Sequence, residues 1–359
     1  MDKDEDAEWE CTDLLGKGAF GMVGKWRRFN KDGKVVETLA VKQFDCTQWD
    51  EDCDGNPGIP AEAALATNLM HQGCKNVAKV KFMRFFDTSQ PKFRLYLEFC
   101  EKGTLKDLVR QYQEKGRKAD RRVHIPEAFI WQAFWDFADC YYHMATFKLD
   151  SALMTTRAPE DYFLLHLDLK DANVLLAEPP PDRLLPYPML KVADFGMAEY
   201  TNRWDPNNSY KWKNNGTICW MPPLYRAPKE QYDANRYGDR WRDRVLGSST
   251  RAYTVKHNLW QMAACIYGLM ELTVDNRKLE RLMHEAERDE RRLKRNGYSI
   301  LDTYHHRHYS KELCYLVEDC LRIRPQDRPG PDELRHKIKK NLLPYLQRFT
   351  KDGTWDRLY

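Results

Sequence analysis

No stretch of this chain holds about 18 consecutive apolar residues, so nothing in it reads as a membrane-spanning helix. The first six residues, Met1-Asp2-Lys3-Asp4-Glu5-Asp6, lack the apolar core of a secretory signal. Ten cysteines lie scattered from Cys11 to Cys320 without one Cys-x-x-Cys pair. That argues against a zinc site or a disulfide framework and for a reduced compartment, cytoplasmic or nuclear. Charge of one sign is missing too: 58 Lys and Arg stand against 54 Asp and Glu, a formal net charge of +4. So small an excess gives no reason to expect nucleic acid or an anionic membrane as the main partner. Internal repeats and long low-complexity tracts are absent. What remains is a globular composition of 359 residues, 42% hydrophobic and 13% aromatic, enough for one large domain or two modest ones.

The first hundred residues favour strands. Alternating or β-prone stretches fall at 9–15, 22–28, 38–44, 77–86 and 93–99, divided by turn signals such as Lys31-Asp32-Gly33. One helical pattern interrupts them: after Pro60, Ala63, Leu65, Ala66, Leu69 and Met70 recur at helical spacing, and proline suits the opening of a helix. Beyond about residue 104 helices take over. Segments 129–145 and 255–272 are apolar on most sides, as buried helices are, whereas 277–296 is dominated by Arg, Glu and Lys. Segments 309–323 and 332–349 are amphipathic, and 150–160 and 179–188, the latter with three consecutive prolines, read as surface insertions. The expected architecture is α+β and bilobal, one domain over 1–359. A small antiparallel β-sheet lobe with one helix spans 9–99, a joint 100–103, a larger mainly helical lobe 104–349, and a tail 350–359.

Three motifs carry chemistry. Gly16-Lys17-Gly18-Ala19-Phe20-Gly21-Met22-Val23 places glycines where a strand–turn–strand can bend sharply and bring backbone N–H groups against phosphate oxygens. The same spacing opens dinucleotide-binding folds, but there a helix follows, and 22–28 reads as a strand. Alone, the segment fits an ordinary tight hairpin as well. Leu39-Ala40-Val41-Lys42-Gln43 then sets a lysine inside an apolar strand, where an ammonium is costly without a partner. Glu62 on the following helix is the candidate partner; a lysine stem lying along an edge strand is the plain alternative.

The third motif decides between these. Leu165-His166-Leu167-Asp168-Leu169-Lys170-Asp171-Ala172-Asn173-Val174-Leu175-Leu176 sets an acid and an amide five residues apart, and Ala193-Asp194-Phe195-Gly196 follows downstream. Phosphoryl transfer needs a carboxylate to orient the attacking hydroxyl, oxygen ligands for magnesium, and cations on the phosphates. Asp168, the Asn173/Asp194 pair, and Lys42 with Lys170 supply those parts in turn.

On these motifs the sequence resembles the eukaryotic protein kinase superfamily, serine/threonine type, from about Trp9 to Phe349. The resemblance implies the bilobal protein kinase fold, ATP and Mg2+ as cofactors, and Ser or Thr hydroxyls of protein substrates as acceptors. It implies that Gly16, Gly18 and Gly21 cover the ATP phosphates, that Val23 and Ala40 pack on adenine, and that Lys42 holds the α and β phosphates while paired with Glu62. Leu65, Leu69 and His71 follow Glu62 at the family's offsets. Leu97 resembles the gatekeeper, Glu98-Phe99-Cys100 the hinge whose backbone reads the adenine edge, and Leu175 the residue beneath the base. Asp168 is then the catalytic base, Lys170 the γ-phosphate partner, and Asn173 and Asp194 the metal ligands. Asp-Leu-Lys-x-x-Asn together with Gly216-Thr217 resembles serine/threonine rather than tyrosine kinases, and Pro325-Gln326-Asp327-Arg328-Pro329 resembles the family's closing motif. A monomer without nucleic-acid or membrane partners is the expected state.

Four positions depart from the family pattern. Leu167 stands where an arginine usually grips an activation-segment phosphate, a non-RD arrangement. Tyr200, Thr201, Ser209 and Tyr210 are therefore not expected to be required phosphosites. The usual Ala-Pro-Glu appears as Pro222-Pro223-Leu224, with Ala227-Pro228-Lys229-Glu230 just beyond, so either Glu230 reaches Arg328 or Arg328 is solvated. Asn258 replaces an aspartate that braces the catalytic loop, which predicts a weaker brace without charge assistance. Thr104 and Ala172 occupy two positions that are often acidic in kinases of basic substrates, so a basic preference is not supported. The departures leave a pseudokinase as one rival reading, and a small-molecule kinase of the aminoglycoside or choline type as another.

Other signals read as structure. His305, His306 and His308 lack a companion Cys or carboxylate cluster and fit a solvated loop better than a metal site. The 277–295 run fits an exposed helix laced with weak pairs such as Glu285 with Arg288 and Glu290 with Lys294. Trp131 and Trp135 fit the core. The cysteines fit buried small apolar roles, with Cys100 the one that the resemblance puts beside ATP.

Overall fold

Alternation along the third strand organises the first lobe: Leu39 and Val41 bury on one face against Trp9 and Tyr96, and Ala40 and Lys42 turn to the other. The computed structural model describes residues 9–18, 21–45, 60–86, 92–148, 162–181, 183, 185–202, 205, 216–222, 253–288, 300–301, 303–353, 356 and 358. Strands β1 (Trp9–Gly18), β2 (Gly21–Phe29), β3 (Val35–Asp45), β4 (Val80–Phe86) and β5 (Lys92–Glu98) form an antiparallel sheet in the order β1-β2-β3-β5-β4. Helix α1 (Ala61–His71) crosses between β3 and β4, with Pro60 as its N-cap and Ala63, Leu65, Ala66 and Leu69 buried. The strand expected from residue 77 begins at Val80. Val77 instead bridges Val192 in parallel, because the backbone just before β4 finds its hydrogen-bond partners on the second lobe. Ala78 N–H donates to Val192 O at 2.8 Å, and the Asn76 amide to Leu190 O at 2.9 Å.

The second lobe is helical around small strand pairs. Helices α2 (Leu105–Ala119) and α3 (Glu127–Ala145) lead into β6 (Phe163–Leu165), β7 (Val174–Ala177), β8 (Met189–Val192) and β9 (Glu199–Thr201), in which β6 pairs β9 and β7 pairs β8. Helices α4 (Lys256–Glu271), α5 (Arg277–Arg288), α6 (Thr303–His308), α7 (Lys311–Cys320) and α8 (Pro331–Asp352) follow. α3 and α4 are buried on nearly every side, as their all-round apolarity predicts; Phe129, Trp131, Phe134, Trp260, Ile266 and Tyr267 are among the largest contributors. The architecture is the bilobal α+β arrangement expected from the sequence.

Two expectations need correction, and one open alternative is closed. Segment 179–188 is not a mere surface excursion: Leu185 and Tyr187 are buried, and Arg183 reaches inward to Asp136 on α3 with two bonds of 3.1 and 2.7 Å. A planar guanidinium matches a carboxylate in this way, and Arg183 also donates to Pro188 O at 3.0 Å, so the prolines frame an anchor. His305 is not solvated either. It is fully buried on α6, with Nε2 2.9 Å from Glu271 of α4, because α6 packs its inner face on the helical core. Arg328 is likewise buried, which removes the solvated alternative. Its guanidinium donates to Arg322 O, Lys256 O and Ile323 O at 2.7, 2.8 and 3.0 Å. Glu230, the 150–160 insertion, Ser209, Tyr210 and Glu290 with Lys294 lie outside the described residues, as do the side chains of Glu285 and Arg288.

Candidate active site

The site forms where the sheet of the first lobe meets the loop between β6 and β7. Lys42 leaves the apolar strand β3 and meets Glu62 near the start of α1, 2.7 Å to each carboxylate oxygen, and Asp194 Oδ1 at 2.7 Å. Lysine and both acids come from three separate elements, two in the first lobe and one in the second. The Lys42 and Glu62 side chains are only 7% and 10% exposed, so each charge depends on the other, while Asp194 is 36% exposed and faces outward. Burial works against the Lys42 charge, but Glu62 and Asp194 override it and raise its pKa. Burial pushes the Asp194 carboxyl up, yet Lys42, by charge and hydrogen bond, brings it below the usual range. Gly196 sits among all three: a Cβ there would meet Asp194 Oδ1, Glu62 Oε2 and Lys42 Nζ within 3.4 to 3.6 Å.

The second cluster is built almost wholly from one loop. Asp168 Oδ1 accepts from the Thr217 hydroxyl at 2.7 Å and from its backbone N–H at 3.2 Å; Oδ2 accepts from Lys170 at 2.8 Å and from the Asn173 amide at 3.2 Å. Lys170 also donates to Thr217 Oγ1 at 2.9 Å, and Asn173 to Asp168 O at 2.9 Å. Three side chains and one backbone N–H thus hold one carboxylate in a single orientation. The clusters are joined through Ala193, whose N–H donates to Asn173 O at 2.9 Å and whose carbonyl lies 3.1 Å from His166 Nε2. Burial holds the His166 pKa down despite Asp194 and Asp168, so the ring is neutral and packs on Phe195 at 4.8 Å.

Leu167 and Asp194 both adopt left-handed backbone conformations, φ 62° and 65°. For a bulky leucine this is strained, and it persists because its surroundings fix it. The Leu167 carbonyl accepts from Gln261 of α4 at 3.0 Å, and Gly216 (φ 110°) lies so close that a Cβ would come within 2.3 Å of that oxygen. The Leu167 side chain is buried in an apolar cluster with Phe163, Leu165 and Tyr253, against which Met197 packs. Asn258 braces the same loop with both ends of its amide: Oδ1 accepts from His166 N–H at 3.0 Å and Nδ2 donates to Leu164 O at 2.7 Å. Sequence reasoning singled out Asn258 but missed Gln261, whose signal was a polar residue inside the apolar run of α4.

The remaining residues flank this centre. Gly21 (φ 121°) pairs with Gly18 and closes on β3, where a Cβ would come within 2.2 Å of Gln43 O, so only glycine fits. Around Gly16 and Gly18, in contrast, a Cβ would meet nothing within 4 Å, so internal packing does not demand their smallness. Val23 pairs with Lys42, Ala40 with Leu97, and Leu175 bridges Thr104 just past the joint. The Glu98 carboxylate is occupied by Lys79 N–H at 2.7 Å and Lys191 at 3.1 Å. Cys100 is buried, and its thiol is pushed up to about 12 by burial and by Glu98. Thr104 serves as the N-cap of α2 in a reciprocal pairing with Asp107, at 3.1 and 3.0 Å.

Comparison with known proteins matches this sequence to a family. The profile described as "Protein kinase domain" covers residues 9–338. The G2-specific protein kinase nim-1 of Neurospora crassa is 23% identical over 90% of this chain and 32% of its own length. The probable serine/threonine-protein kinase nek2 of Dictyostelium discoideum is 23% identical over 91% of this chain and 61% of its own. Human serine/threonine-protein kinase Nek2 is 22% identical over 91% and 58%. The chain thus spans between about a third and three fifths of the length of these relatives. With a profile match from the first strand into the last helix, this chain belongs to the protein kinase domain family.

Proposed function

We propose that this chain transfers the γ-phosphate of Mg-ATP to Ser or Thr hydroxyls of protein substrates, as a single catalytic domain with lobes 9–99 and 104–349 about a joint at 100–103. The observation that carries this reading is the fixed Asp168 carboxylate, held by Lys170, Thr217 and Asn173, beside the Lys42–Glu62–Asp194 ion cluster. Asp168 would accept a hydrogen bond from the acceptor hydroxyl and take its proton, with Thr217 keeping the carboxylate aimed. Lys170 would neutralise charge on the transferred group, and Lys42, made a firm cation by its two acids, would hold the inner phosphates. The open space around Gly16 and Gly18 supports close approach of phosphate to the backbone, and Val23, Ala40, Leu97 and Leu175 would enclose the base, read by the main chain at Glu98 and Cys100.

The oxygen donors suit Mg2+, a hard cation that favours carboxylate and amide oxygen. Lys42 engages Asp194 through Oδ1, and Asn173 engages Asp168 through its amide N–H, which leaves Asp194 Oδ2 and Asn173 Oδ1 to hold the metal. Bound there, it would neutralise phosphate charge.

Activity without activation-segment phosphorylation belongs to the same proposal. Leu167 supplies no cation for a phosphate, and its apolar cluster would hold the segment instead. Thr201 is fully buried with its hydroxyl on Asp205 at 2.9 Å, and Tyr200 packs on Phe147 and Tyr162. The test is phosphate transfer from labelled ATP to generic protein substrates, with Asp194→Ala as control. Equal signal from both proteins overturns the catalytic reading, and loss of all turnover after phosphatase treatment overturns the phosphorylation-independent part. Transfer to small alcohols but not to proteins would replace the substrate class.

A further inference from the structure

Away from the phosphate site, the loop after α1 and the middle of α3 bring together residues that the catalytic reading does not use. Asp139, Cys140 and His143 lie at positions i, i+1 and i+4 of α3, a spacing that puts the acid and the imidazole on one helical face. Cys74 approaches them from the loop, held by its backbone N–H on Leu69 O at 3.0 Å. One ligand atom each from Cys74, Asp139 and His143 lies within 4.8 Å of the others, and the Cys140 thiol neighbours that of Cys74. All described cysteines are free thiols.

The donors are oriented for this. His143 directs Nδ1 to the Asp139 carbonyl at 2.9 Å, with Asp139 Oδ2 3.7 Å away, and so has its ring fixed from its own helix, as metal-ligating histidines usually have. Arg335 approaches the other carboxylate oxygen, Oδ1, only at 3.8 Å, and its guanidinium rests 4.6 Å over the Tyr142 ring, so Oδ2 stays available. Cys74 is buried while Asp139 and His143 are half-buried, which gives a site closed on one side and reachable from the other.

We propose that Cys74, Asp139 and His143, with Cys140 alongside, bind a thiophilic divalent cation of the zinc(II) class. Thiolate and imidazole are the donors that borderline-soft Zn2+ prefers, carboxylate is its third common ligand, and three converging donors leave one tetrahedral position for water or the neighbouring Cys140 thiol. Hard Mg2+ takes oxygen and has no reason to settle here. The bound ion ties the loop after α1 to α3. Because α1 carries Glu62 at its other end, the site stabilises the placement of the helix that pairs with Lys42. The ion acts on the catalytic centre at a distance and touches no reacting atom.

The test uses the full chain, stripped with a chelator and titrated with Zn2+ and with Co2+ as spectroscopic probe. Expected are one tightly held Zn2+ per chain by elemental analysis, a Co2+ derivative with thiolate-to-metal charge-transfer absorption, and a higher Tm with metal than without. Cys74→Ser should cut the charge-transfer band at least by half, and His143→Gln should lose the bound zinc. If either variant does not fold, the unaltered chain still decides through its Co2+ spectrum. Absence of that band, metal retained at full stoichiometry in both folded variants, or a Cys74–Cys140 disulfide in place of metal uptake overturns the site.

Discussion

The two halves of the candidate active site are built in opposite ways. The Asp168 half is local: acid, Lys170 and Asn173 lie within six residues, and only Thr217 arrives from elsewhere. The Lys42 half is assembled across lobes, from β3, α1 and the loop after β8, and bonds of 2.7 Å there require all three to be placed at once. A local cluster is ready whenever its loop is folded. A cross-lobe cluster exists only while the lobes and α1 keep their relative placement.

Substitutions can break that contrast. Asp168→Asn should lower kcat on the order of 10²–10⁴-fold, the usual weight of a positioned base, and cost only about 1–3 kcal/mol, because one oxygen that accepts two bonds becomes a donor. Lys42→Met should lose activity too and also destabilise by about 3–5 kcal/mol, because Glu62 is left buried beside Asp194 without its cation. Paired kinetics and chemical denaturation distinguish the two, and equal stability loss in both variants would erase the distinction. Leu167→Arg places a guanidinium in the Phe163–Leu165–Tyr253 cluster and should cost about 3–5 kcal/mol without creating dependence on phosphorylation. A variant of unchanged stability that is switched on by an activating kinase would refute the apolar-clamp account.

A smaller effect tests the brace. Restoring the family's usual acid by Asn258→Asp keeps the acceptor for His166 N–H but sets a carboxylate oxygen against the Leu164 carbonyl, now 2.7 Å from an amide donor. A loss of about 1–3 kcal/mol is expected in denaturant titration. A gain would show that charge assistance outweighs the second bond. The smallest effect is pH-dependent. Burial holds His257 well below its ordinary value of 6.5, and His166 is lowered by the same cause. A base whose folded pKa is depressed leaves stability intact above the unfolded value and loses it as pH falls through that value, because only the unfolded chain takes the proton. Stability should therefore decline below about pH 6.5, by roughly 1.4 kcal/mol per pH unit for each such histidine, and His257→Leu should flatten the decline. An acid limb unchanged in that variant would assign it to other groups.

The departures from expectation share a cause. Arg183, His305 and Arg328 are polar residues in polar-looking segments, and sequence reading left them at the surface or undecided. Each side chain is buried because partners in other elements satisfy it: Asp136, Glu271, and three carbonyls around α4 and α7. Cys74, Asp139 and His143 were invisible for the same reason, since no spacing rule joins a loop at residue 74 to a helix at residue 143.

By itself the sequence determined the two-lobed order of elements and singled out the residues that the fold gathers at the candidate site, because hydrophobic period and short motifs are local and survive without a third dimension. Tertiary structure alone decided that Lys42 has two acids rather than one, that Leu167 sits strained in an apolar pocket, and that Asn258 braces its loop with both ends of an amide. Those outcomes depend on which buried polar groups find partners, and partners are chosen by packing between elements far apart in the chain.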